Sequence, residues 1–213
     1  MIISIEGSIG AGKTTLLEKL AKHKFAKEHI VFYEPVDEWL KFTPEGSTLS
    51  LFELYYADKA KYGFLFQIYI LQSRFYSMLN VIEQNPDKLI LCERCHITDC
   101  KIFARMLHED KIMTDIEFEI YKKWYDLVCK VIQRKIDAFI YLRVDPSVCM
   151  HRIAKRGRKG EEGIKKEYID RLHSLHEDWL YRLPMSDCLI IEANDDEMDF
   201  DSVTQFIDQN IPN

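Results

Sequence analysis

Residues 7–14, GSIGAGKT, constrain the fold of this 213-residue chain more than any other segment. They match the pattern G-x-x-x-x-G-K-[ST] in full, and they follow a short apolar run and precede an amphipathic one. A loop of this kind connects a strand to a helix, and its backbone N–H groups close around phosphate oxygens. We therefore expect an α/β domain with a site for a nucleoside triphosphate.

Two side chains of the phosphate loop have separate expected roles. Lys13 should reach the β- and γ-phosphates, and the Thr14 hydroxyl should ligate Mg²⁺. The residues expected to contact the triphosphate are Gly7, Ser8, Ile9, Gly10, Ala11, Gly12, Lys13, Thr14 and Thr15. The loop alone does not distinguish a kinase from a switch or a motor protein, because one nucleotide-binding fold hosts many functions.

Short apolar runs alternate with longer amphipathic runs along the chain, as in parallel α/β proteins. The predicted strands are 2–6, 29–34, 88–93, 137–144 and 188–193. The predicted helices are about 13–27, 49–60, 62–84, 100–108, 114–134, 146–155, 164–182 and 201–209. Because the strands are nearly continuous apolar runs, helices should cover both faces of the sheet. We therefore expect residues 1–213 to form one doubly wound domain with a five-stranded parallel sheet.

Composition limits the classes of protein that fit. The formal net charge is −6, with 47% hydrophobic and 30% charged residues, which is typical of a globular protein and argues against a nucleic-acid polymer as partner. No apolar run approaches the roughly 20 residues of a membrane span, and the N-terminus enters a strand without a charged leader. The six cysteines lack the spacing of a disulfide framework. These features predict a cytoplasmic protein that does not contact membranes.

Charged residues follow three of the predicted strands. EPVDEW (34–39) ends the second strand, ERCHITD (93–99) ends the third, and RIAKRGRKGEE (152–162) follows the fourth strand and its helix. The carboxyl ends of parallel strands meet at the edge of the sheet where ligands bind. Phosphoryl transfer at that edge needs a base, a metal-side carboxylate and cations. Solvated loop charges are the alternative interpretation.

Two further pairs of residues have competing interpretations. Gln67 and Arg74 are two turns apart on the mostly apolar predicted helix 62–84. Buried polar groups need partners, so a flat heterocycle, an internal salt link or a solvent-facing position would each account for them. Cys92 and Cys95 form a single C-x-x-C, which is weak support for a redox or zinc site because no second pair accompanies it.

Five ordered motifs together resemble the deoxyribonucleoside kinase family, which includes deoxycytidine, deoxyguanosine, deoxyadenosine and mitochondrial-type thymidine kinases. They are the phosphate loop, EPVDEW, FQIYILQSR, the ERC…D cluster and RGRKGEE…YIDRLHSLHEDWL, and they extend from Met1 to about Leu180. The resemblance implies a P-loop kinase domain with an arginine-rich lid. It also implies transfer of the γ-phosphate of ATP, with Mg²⁺, to the 5′-hydroxyl of a deoxynucleoside in nucleotide salvage. Homodimers and inhibition by an end-product deoxynucleoside triphosphate are further implications.

The resemblance also assigns roles to individual residues. Glu34 takes the place of the general base, Glu93 that of a metal-side carboxylate, and Arg94 that of an arginine beside the reacting hydroxyl. The lid arginines are Arg152, Arg156 and Arg158. The substrate-binding residues, in addition to Glu34 and Arg94, are Trp39, Tyr56, Phe66, Gln67, Arg74, Asp99, Phe103 and Glu161.

Two positions depart from the family pattern. Cys95 follows the E-R pair where the family usually has serine, and the acidic pair of the lid comes one residue later than in many relatives. Glu161 is therefore chosen over Glu162 by ungapped counting, and it is expected, together with Tyr56, to bind the 3′-hydroxyl.

The preferred base follows from chemistry at Arg74 and Asp99, which match base-binding positions in the resemblance. A carboxylate accepts from an exocyclic amine, which cytosine, adenine and guanine carry and thymine lacks. We therefore expect deoxyadenosine, deoxyguanosine or deoxycytidine to be favoured over thymidine. A nucleoside monophosphate kinase and a non-catalytic nucleotide-binding switch are the alternative functions. Glu34 at the acceptor would repel an anionic acceptor phosphate, and the chain lacks N-K-x-D after its fourth strand.

Overall fold

The computed structural model of the chain describes residues 1–23, 29–195 and 198–210. Five parallel strands form one sheet in the order β2-β3-β1-β4-β5. The strands are β1 (Ile2–Glu6), β2 (His29–Phe32), β3 (Leu89–Glu93), β4 (Ala138–Arg143) and β5 (Cys188–Glu192). The prediction of a five-stranded parallel α/β domain is confirmed, with strand ends shorter than predicted by up to two residues.

Helices cover the sheet, and their buried faces supply the rest of the core. They are α1 (Lys13–Ala21), α2 (Val36–Lys41), α3 (Leu51–Ala57), α4 (Lys59–Gln84), α5 (His96–Thr98), α6 (Arg105–Glu109), α7 (Asp115–Val131), α8 (Pro146–Arg156), α9 (Lys166–Leu180) and α10 (Phe200–Asn210). A π-helical segment, Asp99–Ala104, connects α5 to α6. The part of the predicted first helix at 24–27 lies outside the described residues. Among the helices that are described, none has the length and apolar character needed to cross a membrane.

Two segments differ from the predicted helices. The helix α2 was not predicted, because six residues are too few to show a helical period; it starts after Pro35, and Asp37 and Glu38 in its first turn favour a helix N-terminus. The predicted single helix at 100–108 is instead the succession of α5, the π-helical segment and α6. Segments of π-helix are frequent at functional sites, and Asp99 begins this one.

The central strand β1 positions the functional edge of the sheet. It pairs with β3 and β4, with Ile3 opposite both Leu91 and Ala138, and its isoleucines are fully buried. This burial on both faces explains its continuous apolar sequence. The chain turns at the carboxyl end of β1 directly into residues 7–12, so the phosphate loop lies beside the ends of β3 and β4.

Candidate active site

The phosphate loop connects β1 to α1, as the sequence predicts. Gly7 and Gly10 have φ angles of 145° and 83°, and a Cβ there would lie 2.8 Å from the Leu142 carbonyl oxygen or 2.6 Å from that of Cys149. Lys13 Nζ donates to the carbonyl oxygens of Gly7 (3.1 Å) and Ser8 (2.9 Å). Burial lowers the pKa of Lys13 to about 8. The loop therefore holds a buried cation beside its backbone N–H groups, which is an arrangement suited to phosphate.

The first turn of α1 meets the carboxyl end of β3 through two oxygen-bearing side chains. Thr14 Oγ1 lies 3.0 Å from each carboxylate oxygen of Glu93. Hard oxygen ligands suit Mg²⁺, which proteins hold through one or two carboxylates together with substrate phosphates. Within the described residues no group of three or more His, Cys, Asp or Glu side chains could hold a metal by itself. Thr14 and Glu93 therefore fit an ion that is shared with a bound phosphate.

Glu34 follows β2 and lies between two arginines. Its Oε1 accepts from Arg74 Nη2 and its Oε2 from Arg94 Nη1, each at 2.8 Å. Burial alone would raise the pKa of Glu34, but the charges of Arg94 and Arg74 outweigh it and lower the pKa to about 2. Glu34 is therefore a fixed, ionised carboxylate with further lone pairs that can accept a hydroxyl proton.

Arg94 connects Glu34 to the phosphate loop. Its Nη2 donates to the Gly7 carbonyl oxygen at 2.9 Å, and its backbone has a φ of 59°, in the left-handed region that residues other than glycine rarely adopt. Backbone strain of this kind concentrates at functional sites, where the surrounding structure enforces it. The side chain therefore spans the distance between the loop and the carboxylate.

Arg74 and Asp99 form a buried ion pair, and Arg74 connects it to Glu34. Arg74 Nε donates to Asp99 Oδ2 at 2.8 Å and Nη2 donates to Oδ1 at 3.3 Å, while Nη1 donates to the Glu93 carbonyl oxygen at 3.1 Å. Burial raises the pKa of Asp99, although the charge of Arg74 and the hydrogen bonds from it oppose the rise. Gln67 Nε2 approaches the Asp99 carbonyl oxygen at 3.5 Å. The sequence analysis considered a heterocycle, an internal salt link or solvent as the partner of Arg74. The structure shows an internal salt link, with Asp99.

These side chains surround a cavity of about 510 Å³, which we call the acceptor cavity. Every predicted substrate-binding residue lines it: Glu34, Trp39, Tyr56, Phe66, Gln67, Arg74, Arg94, Asp99, Phe103 and Glu161. Aromatic residues that were not predicted also line it: Tyr33, Phe52, Tyr55 and Tyr168. In an amphipathic sequence, an aromatic residue that faces a cavity cannot be distinguished from one that faces the core, so no sequence signal identified these four.

A second cavity, of about 550 Å³, adjoins the first on the outer side of the phosphate loop. The two cavities share six lining residues: Gly10, Lys13, Thr14, Glu93, Arg156 and Arg158. Arg152 also lines the second cavity, where it donates to the carbonyl oxygens of Ala193 at 3.0 Å and Asn194 at 3.1 Å. The shared residues therefore lie at the junction of the two cavities, and we call the second cavity the donor side.

The predicted lid begins within α8, which contains Arg152 and Arg156, and the loop after α8 contacts α3. Arg156 and Arg158 both donate to the buried carboxylate of Glu161, at 2.6 and 3.1 Å. Lys159 pairs with Glu53 at 2.8 Å. Glu162 is exposed and accepts from a backbone N–H of the lid itself. Glu161, not Glu162, is thus the acidic residue that reaches the acceptor cavity.

The two cysteines that flank Glu93 and Arg94 belong to the packed interior. Cys92 Sγ lies 3.6 Å from the Ile3 carbonyl oxygen, and Cys95 lies close to the carboxylate of Glu6. Burial raises the pKa of both thiols, which disfavours the thiolate that redox and zinc chemistry need. The C-x-x-C interpretation is therefore not supported.

Glu6 is a buried carboxylate that the sequence analysis did not single out. Its Oε1 accepts from Ser4 Oγ at 2.6 Å and Thr98 Oγ1 at 2.7 Å, which links the end of β1 to α5. Burial raises its pKa. Its position directly before Gly7 was the available signal, since a charge at the end of a central strand needs a buried partner.

The chain is similar to known proteins along most of its length. A family model described as deoxynucleoside kinase matches residues 3–211. Deoxycytidine kinase 2 of Gallus gallus is 36% identical over 202 residues, which cover 86% of this chain and 75% of the relative. Deoxycytidine kinase 1 of Xenopus laevis is 32% identical, covering 84% and 73%. Deoxycytidine kinase of Homo sapiens is 34% identical, covering 84% and 74%.

Proposed function

The chain belongs to the deoxynucleoside kinase family, and we propose that it transfers the γ-phosphate of ATP to the 5′-hydroxyl of a deoxynucleoside whose base carries an exocyclic amine. The observation that supports this most is the position of Glu34. Its carboxylate lines the acceptor cavity and is joined through Arg94 to the carbonyl of Gly7 in the phosphate loop. A base at this junction can act on a hydroxyl that faces the transferred phosphate.

Each side chain around the junction has a separate proposed role in phosphoryl transfer. Glu34 accepts the hydroxyl proton, and Arg94 stabilises negative charge on the reacting oxygens. Lys13 and the lid arginines Arg156 and Arg158 neutralise charge on the phosphates, as phosphoryl transfer requires. Arg152, which borders the donor side, adds a further positive charge there.

Thr14 and Glu93 are the residues we propose for Mg²⁺. These two side chains would hold the ion, whose positive charge would offset the negative charge on the phosphates. The Thr14 hydroxyl and the Glu93 carboxylate, 3.0 Å apart, present oxygens toward the donor side of the junction. Their arrangement orients the triphosphate with respect to Glu34.

The rest of the acceptor cavity suits a deoxynucleoside. Trp39, Phe66 and Phe103 offer apolar and aromatic surface to the base, and Gln67 can hydrogen-bond its edge. Tyr56 and Glu161 are proposed to bind the 3′-hydroxyl. Each of these residues lines the same cavity as Glu34.

Base preference is assigned to Asp99. Each of its carboxylate oxygens accepts from Arg74 and retains a second lone pair. An exocyclic amine can donate to that lone pair, whereas the carbonyl of thymine would face a negative charge. The names of the relatives, which are deoxycytidine kinases, support cytosine among the bases that carry an amine. We therefore propose deoxycytidine, deoxyadenosine or deoxyguanosine ahead of thymidine.

Glu34→Gln tests the proposed chemistry. The amide keeps the shape of the side chain but cannot take up a proton, so turnover should fall by about 10²-fold or more. Binding of deoxycytidine and of ADP, measured by calorimetry, should change little. Glu38→Gln, at an exposed position on α2, is the matched control and should keep full turnover. Undiminished turnover in Glu34→Gln would remove Glu34 from the role of base.

We also propose that the chain forms a homodimer through α7. Its exposed apolar residues recur at spacings of four, four, three and four, which places them along one stripe of the helix. They are Ile116, Ile120, Trp124, Leu127 and Val131, with exposures from 41% to 74%. A stripe of this kind marks an interaction surface. Trp124→Glu should shift the mass measured by light scattering toward the 25.3 kDa of one chain, whereas a wild-type protein of that mass would contradict the proposal.

A further inference from the structure

The backbone of Arg94 is tied to β1 on both sides of its Cα atom. Its own N–H donates to the carbonyl oxygen of Ile5 at 3.1 Å. The next N–H, that of Cys95, donates to Thr98 Oγ1 at 3.2 Å, and this hydroxyl in turn donates to Glu6 Oε1 at 2.7 Å. Two consecutive residues of β1 therefore hold the two peptide groups that flank Arg94.

The link between Glu6 and Thr98 lies inside the protein. Both side chains are 0% exposed, and they belong to the interior rather than to the lining of either cavity. Glu6 also accepts from Ser4 Oγ at 2.6 Å, so its own strand fixes the carboxylate. Since water does not replace a buried hydrogen bond of this kind, its loss would leave polar groups without partners.

These bonds hold a conformation that arginine rarely adopts. Arg94 has a φ of 59°, and residues other than glycine persist in this left-handed region only where the surrounding structure over-determines it. The guanidinium of the same residue donates to the Gly7 carbonyl oxygen and to Glu34 Oε2. If the peptide after Arg94 were released, its backbone could relax toward negative φ, and the guanidinium would move away from both acceptors.

We propose that Glu6 and Thr98 are positioning residues for phosphoryl transfer: they hold the backbone of Arg94 in its left-handed conformation and so keep the guanidinium between the phosphate loop and the proposed base. This inference rests on the proposed function, in which Arg94 stabilises charge on the reacting oxygens. Asp99 is held separately by Arg74, so the effect falls on the transfer step and not on the choice of base.

Thr98→Val is the first test, because valine has a similar shape and lacks the hydroxyl. We expect kcat to fall by about tenfold or more with deoxycytidine and thymidine alike, since a misplacement of about 1 Å can cost about 10²-fold in rate. KM for the nucleoside and the calorimetric affinity for ADP should change much less. Thr98→Ser keeps the hydroxyl and should restore kcat. An unchanged kcat in Thr98→Val, an equal loss in Thr98→Ser, or a loss confined to one base would overturn the inference.

A double-mutant cycle with Arg94→Lys separates this inference from the proposed function. Lysine keeps the charge but lacks the planar fork that reaches two acceptors, so Arg94→Lys should itself lower kcat. If Thr98 acts through Arg94, Thr98→Val should add little to that loss. A full additional loss would overturn the inference alone. Undiminished kcat in Arg94→Lys would remove Arg94 from the proposed function, and the inference would be overturned with it.

Arg134→Ala controls for a general loss of stability. Its guanidinium joins the amino-terminal ends of the same two strands, β1 and β3, by donating to the carbonyl oxygens of Met1 and Lys88 at 3.0 Å each. This variant should have a lower melting temperature and an unchanged kcat. If its kcat fell as far as that of Thr98→Val, any loosening of these strands would have the same effect, and the inference would be overturned.

Glu6→Gln replaces the first test if Thr98→Val does not fold, as judged by thermal melting. Glutamine keeps the size of the side chain, but its amide oxygen accepts from a hydroxyl more weakly than a carboxylate does. We expect a loss in kcat that is common to deoxycytidine and thymidine, with KM close to the wild-type value. A kcat equal to that of the wild type would overturn the inference.

Discussion

We call Glu34, Arg74 and Asp99 the floor of the acceptor cavity. The floor and the lid both pair arginines with carboxylates, but in different surroundings. In the floor, the side chains of Glu34, Arg74 and Asp99 are at most 9% exposed. In the lid, Arg156 is 36% and Lys159 80% exposed. The floor is thus an internal part of the fold, whereas the lid keeps its cations in contact with water.

This difference suits two kinds of task. Breaking a buried ion pair leaves an uncompensated charge and costs several kcal/mol, whereas an exposed pair contributes little. The floor therefore has one stable arrangement, which can hold reacting groups in place. The arginines of the lid, at 36% and 28% exposure, stay in contact with water while they pair with the buried Glu161, so they can also face phosphate oxygens.

The largest effect is expected for Asp99→Ala, which removes one partner from the buried floor. Arg74 would lose two hydrogen bonds and its bidentate counter-charge, so the free energy of unfolding should fall by about 3–5 kcal/mol. Urea denaturation measures this loss. The ratio of kcat/KM for deoxycytidine to that for thymidine should fall as well, because the acceptor for the amine is gone.

Asp99→Asn is the control, since its amide keeps an oxygen that can accept from Arg74. It should be more stable than Asp99→Ala. A loss below about 1 kcal/mol in Asp99→Ala would show that the floor is no more tightly coupled than a surface pair. An unchanged ratio of the two substrates would remove Asp99 from base selection.

The smallest effect is expected for Lys159→Ala in the lid. Lys159 is exposed, and its partner Glu53 still accepts from the backbone N–H and the hydroxyl of Ser50 at the start of α3. The urea midpoint should stay within experimental error of the wild type. Glu53→Ala is the informative comparison, because it also removes the carboxylate that accepts from the Ser50 backbone N–H in the capping box of α3, and a hydrogen bond of this kind is typically worth about 1 kcal/mol. A clear drop in the midpoint of Lys159→Ala would mean that the lid is held as firmly as the floor.

Much of the fold could be predicted, because its signals are local. The five strands show as apolar runs, and the phosphate loop has a pattern set by backbone geometry. The prediction missed α2, which is too short to show a helical period. It also gave a single helix at 100–108 in place of the π-helical segment and its flanking helices, because that segment depends on contacts with its neighbours. The cytoplasmic location, the end-product inhibitor and the roles of individual site residues stay predictions.

The order of amino acids already contains the chemical groups of the candidate site: Lys13 in the loop, Glu34 after β2, Arg94 after β3 and the arginines of the lid. Which of these groups pair with one another depends on the folded arrangement of the strands and helices. The order β2-β3-β1-β4-β5 places Glu34 and Arg94 at neighbouring strand ends, and α4 brings Arg74 between Glu34 and Asp99. Such pairings depend on distances in the folded chain, and spacing along the sequence does not contain them.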